Sequence, residues 1–251
     1  MSTKLKLPKI IGHRGAKGYA PENTLVGIHT AADMGVEWVE LDVKLTKDKV
    51  PIIFHDDTLD RTTNGSGLVA ETLYSDIQAL EAGSHFADSF AGVSIPTLED
   101  ALEVIIDRGL GLNLEIKPCA GREIETTEHA LDILTSIWDE DDKILISSFQ
   151  HVSLETAMEM APNLPRGFLM ETQWQENWQD FVSHLKASTV NVNGNEITRE
   201  EVEQIIDETG LPILAYTINE PDRARHLQSW GVDAFFSDVP DIVKDGLFSV
   251  H

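Results

Sequence analysis

Residues 189–217 read TVNVNGNEITREEVEQIIDETGLPILAYT, a strand, a helix and a second strand in succession. The run 189–192 is β-rich, and Thr198 ahead of Glu200 and Glu201 carries the chemistry of a helix N-terminus. The helical stretch 198–209 ends at Gly210, the residue type that most readily closes a helix in the left-handed conformation. A second β-rich run, 212–217, follows at once. A strand returning to a strand through a helix is the unit from which parallel sheets are built.

The unit recurs in both directions. Further strands are predicted at 9–12, 38–43, 111–116, 143–147, 166–170 and 234–236, and helices at 22–34, 98–108, 122–138, 153–160, 174–185, 221–229 and 239–244. Pro221, after Glu220, is at home in a first helical turn, and Gly35, Gly109 and Gly231 fall where helices should stop. Eight strand–helix units in 251 residues predict an α/β fold, the (β/α)8 TIM barrel. The rival, an open doubly wound sheet, lacks here its Gly-x-Gly-x-x-Gly phosphate fingerprint. One segment breaks the rhythm. Residues 56–96 are rich in turn formers (Asn64 to Gly67, Gly83, Gly92) and show no clear strand–helix unit. They are read as an inserted subdomain after the second barrel strand, at the catalytic face of a single domain spanning 1–251, because barrel sites are built from the loops that follow strands.

Composition narrows the partners. The chain carries 43 acidic against 19 basic residues, a net charge of −24 that repels nucleic-acid phosphates and argues against docking on an anionic membrane. The apolar runs are a few residues long, far short of the roughly 20 needed to cross a bilayer. The basic N-terminus is not followed by the apolar stretch of a secretory signal, so a cytoplasmic location is expected. A lone cysteine, Cys119, fits a reducing compartment, and no base stands beside it to make a nucleophile. A closed barrel has no open edge, so oligomeric state is left open.

The chemistry lies at strand ends. Glu40 and Asp42 are two residues apart in a strand and so project to one face. Glu115 ends the next predicted barrel strand. Three converging carboxylates repel one another unless a proton or a cation intervenes, and all-oxygen donors suit one divalent cation, Mg2+ or Ca2+, with Mn2+ also possible, rather than Zn2+. His13 follows the first strand and His55 follows the apolar run 50–54, with Arg14 and Lys117 on the same side. A cation site, two bases of near-neutral pKa and two fixed positive charges are what hydrolysis of a phosphodiester requires. His29, His85, His129, His151, His184, His226 and His251 lack such surroundings and read as structural or surface residues. The sequence holds no Gly-x-Ser-x-Gly, His-Glu-x-x-His, Walker or Cys-x-x-Cys motif.

These residues resemble a family, the glycerophosphodiester phosphodiesterases, along the whole chain. The resemblance rests on His13-Arg14-Gly15 with Pro21-Glu22-Asn23-Thr24, on Glu40-Leu41-Asp42-Val43 with Thr46-Lys47-Asp48, and on His55-Asp56 with Leu59-Asp60-Arg61-Thr62-Thr63 and Gly65-Ser66-Gly67. It continues through Ile95-Pro96-Thr97-Leu98, Asn113 to Lys117, Ser147-Ser148-Phe149, Thr217-Ile218-Asn219 and Ser237-Asp238. It implies that Glu40, Asp42 and Glu115 hold the cation, that His13 and His55 form the acid–base pair without their roles being divided, and that Arg14 and Lys117 bind phosphate. It further implies attack by a hydroxyl of the substrate's own glycerol, a cyclic phosphate that water opens, and release of sn-glycerol 3-phosphate and an alcohol. Such chemistry needs no enzyme nucleophile. The position before Thr217, commonly Trp in the family, is Tyr216 here, and Phe149 and Trp174 are further candidates for the pocket wall. Two other readings stand beside it: a phosphodiesterase of lysophospholipids or phosphoinositides, and a non-catalytic barrel that binds phosphodiesters. A matched pair of histidines beside three acids has no use in binding alone.

Overall fold

Thr198 caps its helix in both directions: its side chain accepts from the Glu201 N–H while the Glu201 carboxylate accepts from the Thr198 N–H. Gly210 closes the same helix at φ 64°, a left-handed position that costs glycine nothing. The strands on either side lie parallel, with Val190 opposite Ile213 and Asn193 opposite Tyr216. In the computed structural model, which describes residues 5–248, this unit is repeated around a closed ring. His251 and the first four residues of the basic N-terminal run lie outside the described residues.

The elements in chain order are β1 (Ile10–Gly12), α1 (Leu25–Asp33), β2 (Trp38–Leu45), β3 (Pro51–Ile53), α2 (Tyr74–Ile77), α3 (Leu98–Asp107), β4 (Gly111–Ile116), α4 (Glu123–Ile137) and β5 (Ile144–Ser148). They continue with α5 (His151–Met160), β6 (Arg166–Leu169), α6 (Trp178–His184), β7 (Thr189–Asn193), α7 (Arg199–Thr209), β8 (Ile213–Tyr216), α8 (Pro221–Trp230), β9 (Ala234–Ser237) and α9 (Pro240–Phe248). The sheet runs β1-β9-β8-β7-β6-β5-β4-β2, and β2 pairs back onto β1, which closes eight parallel strands into the expected (β/α)8 barrel. β3 stands outside the ring, antiparallel to the far end of β2. Strand formation beyond the predicted end of β2 at residue 43 follows from that pairing, since Lys44 and Leu45 have Ile52 and Pro51 as partners.

Three helix starts lie two or more residues from the predicted ones, α5 beginning at His151 rather than at 153. α1 begins at Leu25 because the Thr24 hydroxyl caps the Gly27 N–H and Asn23, at φ 56°, cannot be helical. α6, Trp178–His184, is shorter than the predicted stretch 174–185 at both ends.

Alternation along β2 sorts its side chains. Val39, Leu41 and Val43 point outward into an apolar layer shared with Ile28 of α1 and Leu102 of α3. Trp38, Glu40 and Asp42 point into the barrel, where Trp38 joins Ile11, Leu145, Leu214 and Phe236 in a plug at the floor. Opposite Trp38 in register is Gly111, whose position would place a Cβ 2.2 Å from the indole. A second apolar layer, including Phe235, Ile205 and Leu227, backs the other half of the ring. Residues 56–96 hold two short 3-10 turns and α2 around a small apolar cluster in which Leu59, Val69, Ile77 and Ile95 pack with Ile52 and Phe54. Among the described residues no helix is long and apolar enough to cross a membrane.

Candidate active site

β2 and β4 lie in register with Asp42 beside Glu115, so the inward alternation that buries Trp38 at the floor raises three acids at the mouth. Ligand oxygens of Glu40, Asp42 and Glu115 all lie within 4.8 Å of one another. Glu40 and Asp42 are 3% and 1% exposed, so these charges are poorly hydrated. Burial pushes Glu40 well above the carboxylate range, and Asp42 and Glu115 add to it. Burial and the neighbouring Asp42 push Glu115 up to about 7. Asp42 goes the other way: burial alone would raise it, but Arg14 and Lys117 outweigh that and hold it at about 2. Glu40 Oε1 is buried and accepts no hydrogen bond. A cluster of hard oxygen donors, one with an idle buried oxygen, fits a divalent cation and fits a soft one poorly.

The histidines stand beside this cluster, each with a carboxylate on its Nδ1. His13 follows β1 and its Nδ1 is 2.6 Å from Asp238 Oδ1, while its Nε2 is 3.8 Å from Glu40 Oε2. Asp238 is fixed by Asn219, which donates to Oδ2 at 2.9 Å and accepts from the Asp238 N–H at 2.8 Å. Burial would raise Asp238, but the hydrogen bond and charge of His13, with Asn219 and Lys17, together outweigh it and hold the carboxyl at about 2. His55 follows β3, with Nδ1 2.6 Å from Asp56 Oδ1. Burial lowers the pKa of both imidazoles, against the pull of Asp238 on His13 and of Asp42 on His55. A neutral ring donating Nδ1–H to its carboxylate turns a bare Nε2 to the site.

Arg14, at φ 50°, sends its backbone N–H to Glu40 Oε2 at 2.9 Å and its Nη1 to Glu22 Oε1 at 2.7 Å. Its Nε lies 3.3 Å from Asp42 Oδ2 without forming a hydrogen bond, so that contact is electrostatic. Lys117 Nζ donates to Glu115 at 2.7 Å, lies 3.8 Å from Asp42, and sits 5.4 Å from the centre of the Phe149 ring. Phe149 and Tyr216 meet edge to face at 5.7 Å, and the Tyr216 hydroxyl donates to the Met170 carbonyl at 2.5 Å. His13, Arg14, Glu40, His55, Glu115 and Lys117 thus surround one cavity of about 290 Å3, with Phe149, Tyr216, Leu169 and Phe236 as its apolar wall. Asp42 does not itself line the cavity and is held by Asn23 through a 2.8 Å bond. A more open groove of about 590 Å3 runs from His55 and Lys117 past Asp57, Thr58 and Gln150.

Other candidates fall elsewhere. Trp174 packs on Trp178, 5.4 Å between ring centres, away from the main cavity. Cys119 is buried, and burial pushes its thiol up. His151 stacks on Phe181 and His184 faces Glu155. Asp238, Asn219, Asp56, Glu22, Asn23 and Arg61 stand in the motifs with no role assigned from sequence, yet each contacts a site residue or its partner. Asp238 is 225 positions from the histidine it holds, so only its place directly after a strand marked it.

A profile of the glycerophosphoryl diester phosphodiesterase family matches residues 13–242. A glycerophosphodiester phosphodiesterase of Caldanaerobacter subterraneus is 33% identical over 232 residues, covering 92% of this chain and 94% of the relative. Another, of Bacillus altitudinis, is 32% identical over 237 residues, covering 94% and 96%. Among solved structures, an Oleispira antarctica phosphodiesterase in complex with the product sn-glycerol-3-phosphate superposes with a TM-score of 0.92 at 40% identity, covering 97% of this chain and 98% of that one.

Proposed function

The chain belongs to the glycerophosphoryl diester phosphodiesterase family, and on that premise we propose how its residues divide the hydrolysis of glycerophosphodiesters among themselves. The enzyme yields sn-glycerol 3-phosphate and an alcohol from a small-molecule substrate, with the help of a divalent cation. The observation that carries the assignment is the pair of carboxylate-held imidazoles in one cavity with Glu40 and Glu115, two of the three clustered acids.

Glu40, Asp42 and Glu115 would hold the cation, Mg2+ or Ca2+ in this reading, with Mn2+ able to replace it. Bound there, it would supply positive charge against the phosphoryl oxygens. Arg14 and Lys117 flank the same oxygens, their charges aimed by Glu22 and Glu115. One imidazole takes the proton of a glycerol hydroxyl, whose oxygen attacks phosphorus. The other protonates the leaving alkoxide, and the two exchange duties when water opens the cyclic phosphate. Asp238 and Asp56 fix the tautomer that leaves each Nε2 free for this work. The incoming phosphate favours the protonated form of the imidazole nearest the leaving oxygen. Phe149 and Tyr216 form the wall for the substrate's carbon skeleton. The Tyr216 hydroxyl is engaged with Met170, so this side chain offers an aromatic face rather than a hydrogen bond. Residues 56–96 act as an inserted subdomain that brings His55's partners to the mouth, and the lone thiol is suited to the cytoplasm.

The test is release of glycerol 3-phosphate from glycerophosphocholine by the purified protein without metal and with Mg2+, Ca2+ or Mn2+. His13→Ala and His55→Ala should each lose at least about 100-fold in kcat, with melting temperatures within a few degrees of the parent. Turnover that survives either substitution removes that histidine from the mechanism.

A further inference from the structure

Arg61 sits in the inserted segment with its side chain 47% exposed, where an ion pair ordinarily contributes little. Its surroundings are not ordinary. Nη1 and Nη2 reach Glu22 at 2.9 and 2.7 Å, while Nε and Nη2 reach Asp56 at 2.6 and 2.9 Å. One planar guanidinium is therefore forked onto two carboxylates at once, a geometry that fixes position as well as charge. Each carboxylate has a second client. Asp56 Oδ1 is the partner of His55 Nδ1, and Glu22 Oε1 accepts from Arg14 Nη1. The loop that carries Arg61 is itself anchored: Leu59 is 1% exposed in the insert's apolar cluster, its N–H donates to the Gly67 carbonyl, and the Thr63 hydroxyl returns to the Leu59 carbonyl. The other cation near Glu22, Lys17, is 3.9 Å away and makes no hydrogen bond to it.

We propose that Arg61 is a positioning residue for the reaction, a single fork by which the inserted segment sets the imidazole of His55 and the guanidinium of Arg14 in register with each other. This inference rests on the roles given above to His55 and Arg14. It makes the insert part of the catalytic assembly rather than a cover beside it. The fork acts on both sides of the phosphate: through Asp56 on the proton carrier, through Glu22 on the charge that meets the phosphoryl oxygens.

The experiment is steady-state kinetics on glycerophosphocholine at saturating Mg2+ for the full-length parent, Arg61→Ala, Arg61→Lys and His55→Ala, each checked by its melting curve. Arg61→Ala should lower kcat by about 10- to 100-fold, the usual cost of a catalytic group displaced by an ångström, with KM rising less than about threefold. Arg61→Lys keeps the charge without the fork and should recover only a small part of the rate. Guanidinium ion at tens of millimolar should raise the kcat of Arg61→Ala and leave the parent and His55→Ala unchanged. A kcat for Arg61→Ala within threefold of the parent overturns the proposal. So does a loss that added guanidinium does not relieve, which would mean that Arg61 only holds the insert together. Should Arg61→Ala melt below the assay temperature, Arg61→Lys carries the test alone, and parental activity in it overturns the proposal. Activity surviving in His55→Ala overturns the reading of His55 itself, an outcome distinct from an unaffected Arg61 variant.

Discussion

His13 and Asp238 meet at 2.6 Å, and the ring's other nitrogen is left facing Glu40. Asp238→Asn keeps the shape but removes the charge that holds Nδ1–H in place, so kcat should fall by about 100-fold or more, with KM little changed; steady-state kinetics on glycerophosphocholine decides it. Glu22 gives a prediction about acid. Burial would raise its pKa, yet Arg61 and Arg14 outweigh burial and hold it at about 2, against an ordinary value of 4.5. A carboxyl depressed in the folded state contributes stability that is complete above its unfolded pKa and lost as pH falls through its folded one. Between pH 4.5 and 2 the parent should therefore lose urea resistance more steeply than Glu22→Gln; equal slopes in the two proteins would contradict this. At this scale the sequence was readable in part. The acids and imidazoles could be found because each follows or ends an apolar strand. Their supporting partners could not, because a bond spanning 225 positions has no signature in spacing.

Elements were more legible than contacts. The helix Arg199–Thr209 begins and ends at the residues whose chemistry announced it, Thr198 and Gly210. The three-residue strand β3 was legible only as the apolar run 50–54, because it is too short for a period to show and exists through its pairing with the far end of β2. The start of α1 was placed too early, since the left-handed backbone of Asn23 is a property of the folded turn that links it to Asp42. Where an element meets its neighbour, the tolerance is small. Gly111 lies so close to Trp38 that a methyl group there would overlap the indole. Gly111→Ala should cost about 1–3 kcal/mol through overpacking of the barrel floor, read as a lowered urea midpoint with an unchanged slope. A midpoint equal to the parent's would mean the floor has slack.

For the whole molecule, the ring of strands determines what the cation does besides chemistry. Three mutually repelling acids are held at its mouth by eight strands that cannot splay independently. A ligand that binds only this folded arrangement stabilises it by about 2.7 kcal/mol at a hundred times its dissociation constant. Added Mg2+ or Ca2+ should thus raise the melting temperature by several degrees in the parent and not in Glu40→Gln, and EDTA should abolish both the shift and turnover until metal is restored. Full activity after exhaustive chelation would remove the cation from the reaction. The closure of the ring has one more effect, in time rather than in space. β1 is completed by β9, and His13 by Asp238, so one segment waits for another made 225 positions later. A chain growing from the ribosome therefore carries His13 without its carboxylate partner until β9 and Asp238 have been made and have docked. Nascent chains halted before residue 234 should be silent toward substrate, however well their earlier strands have paired.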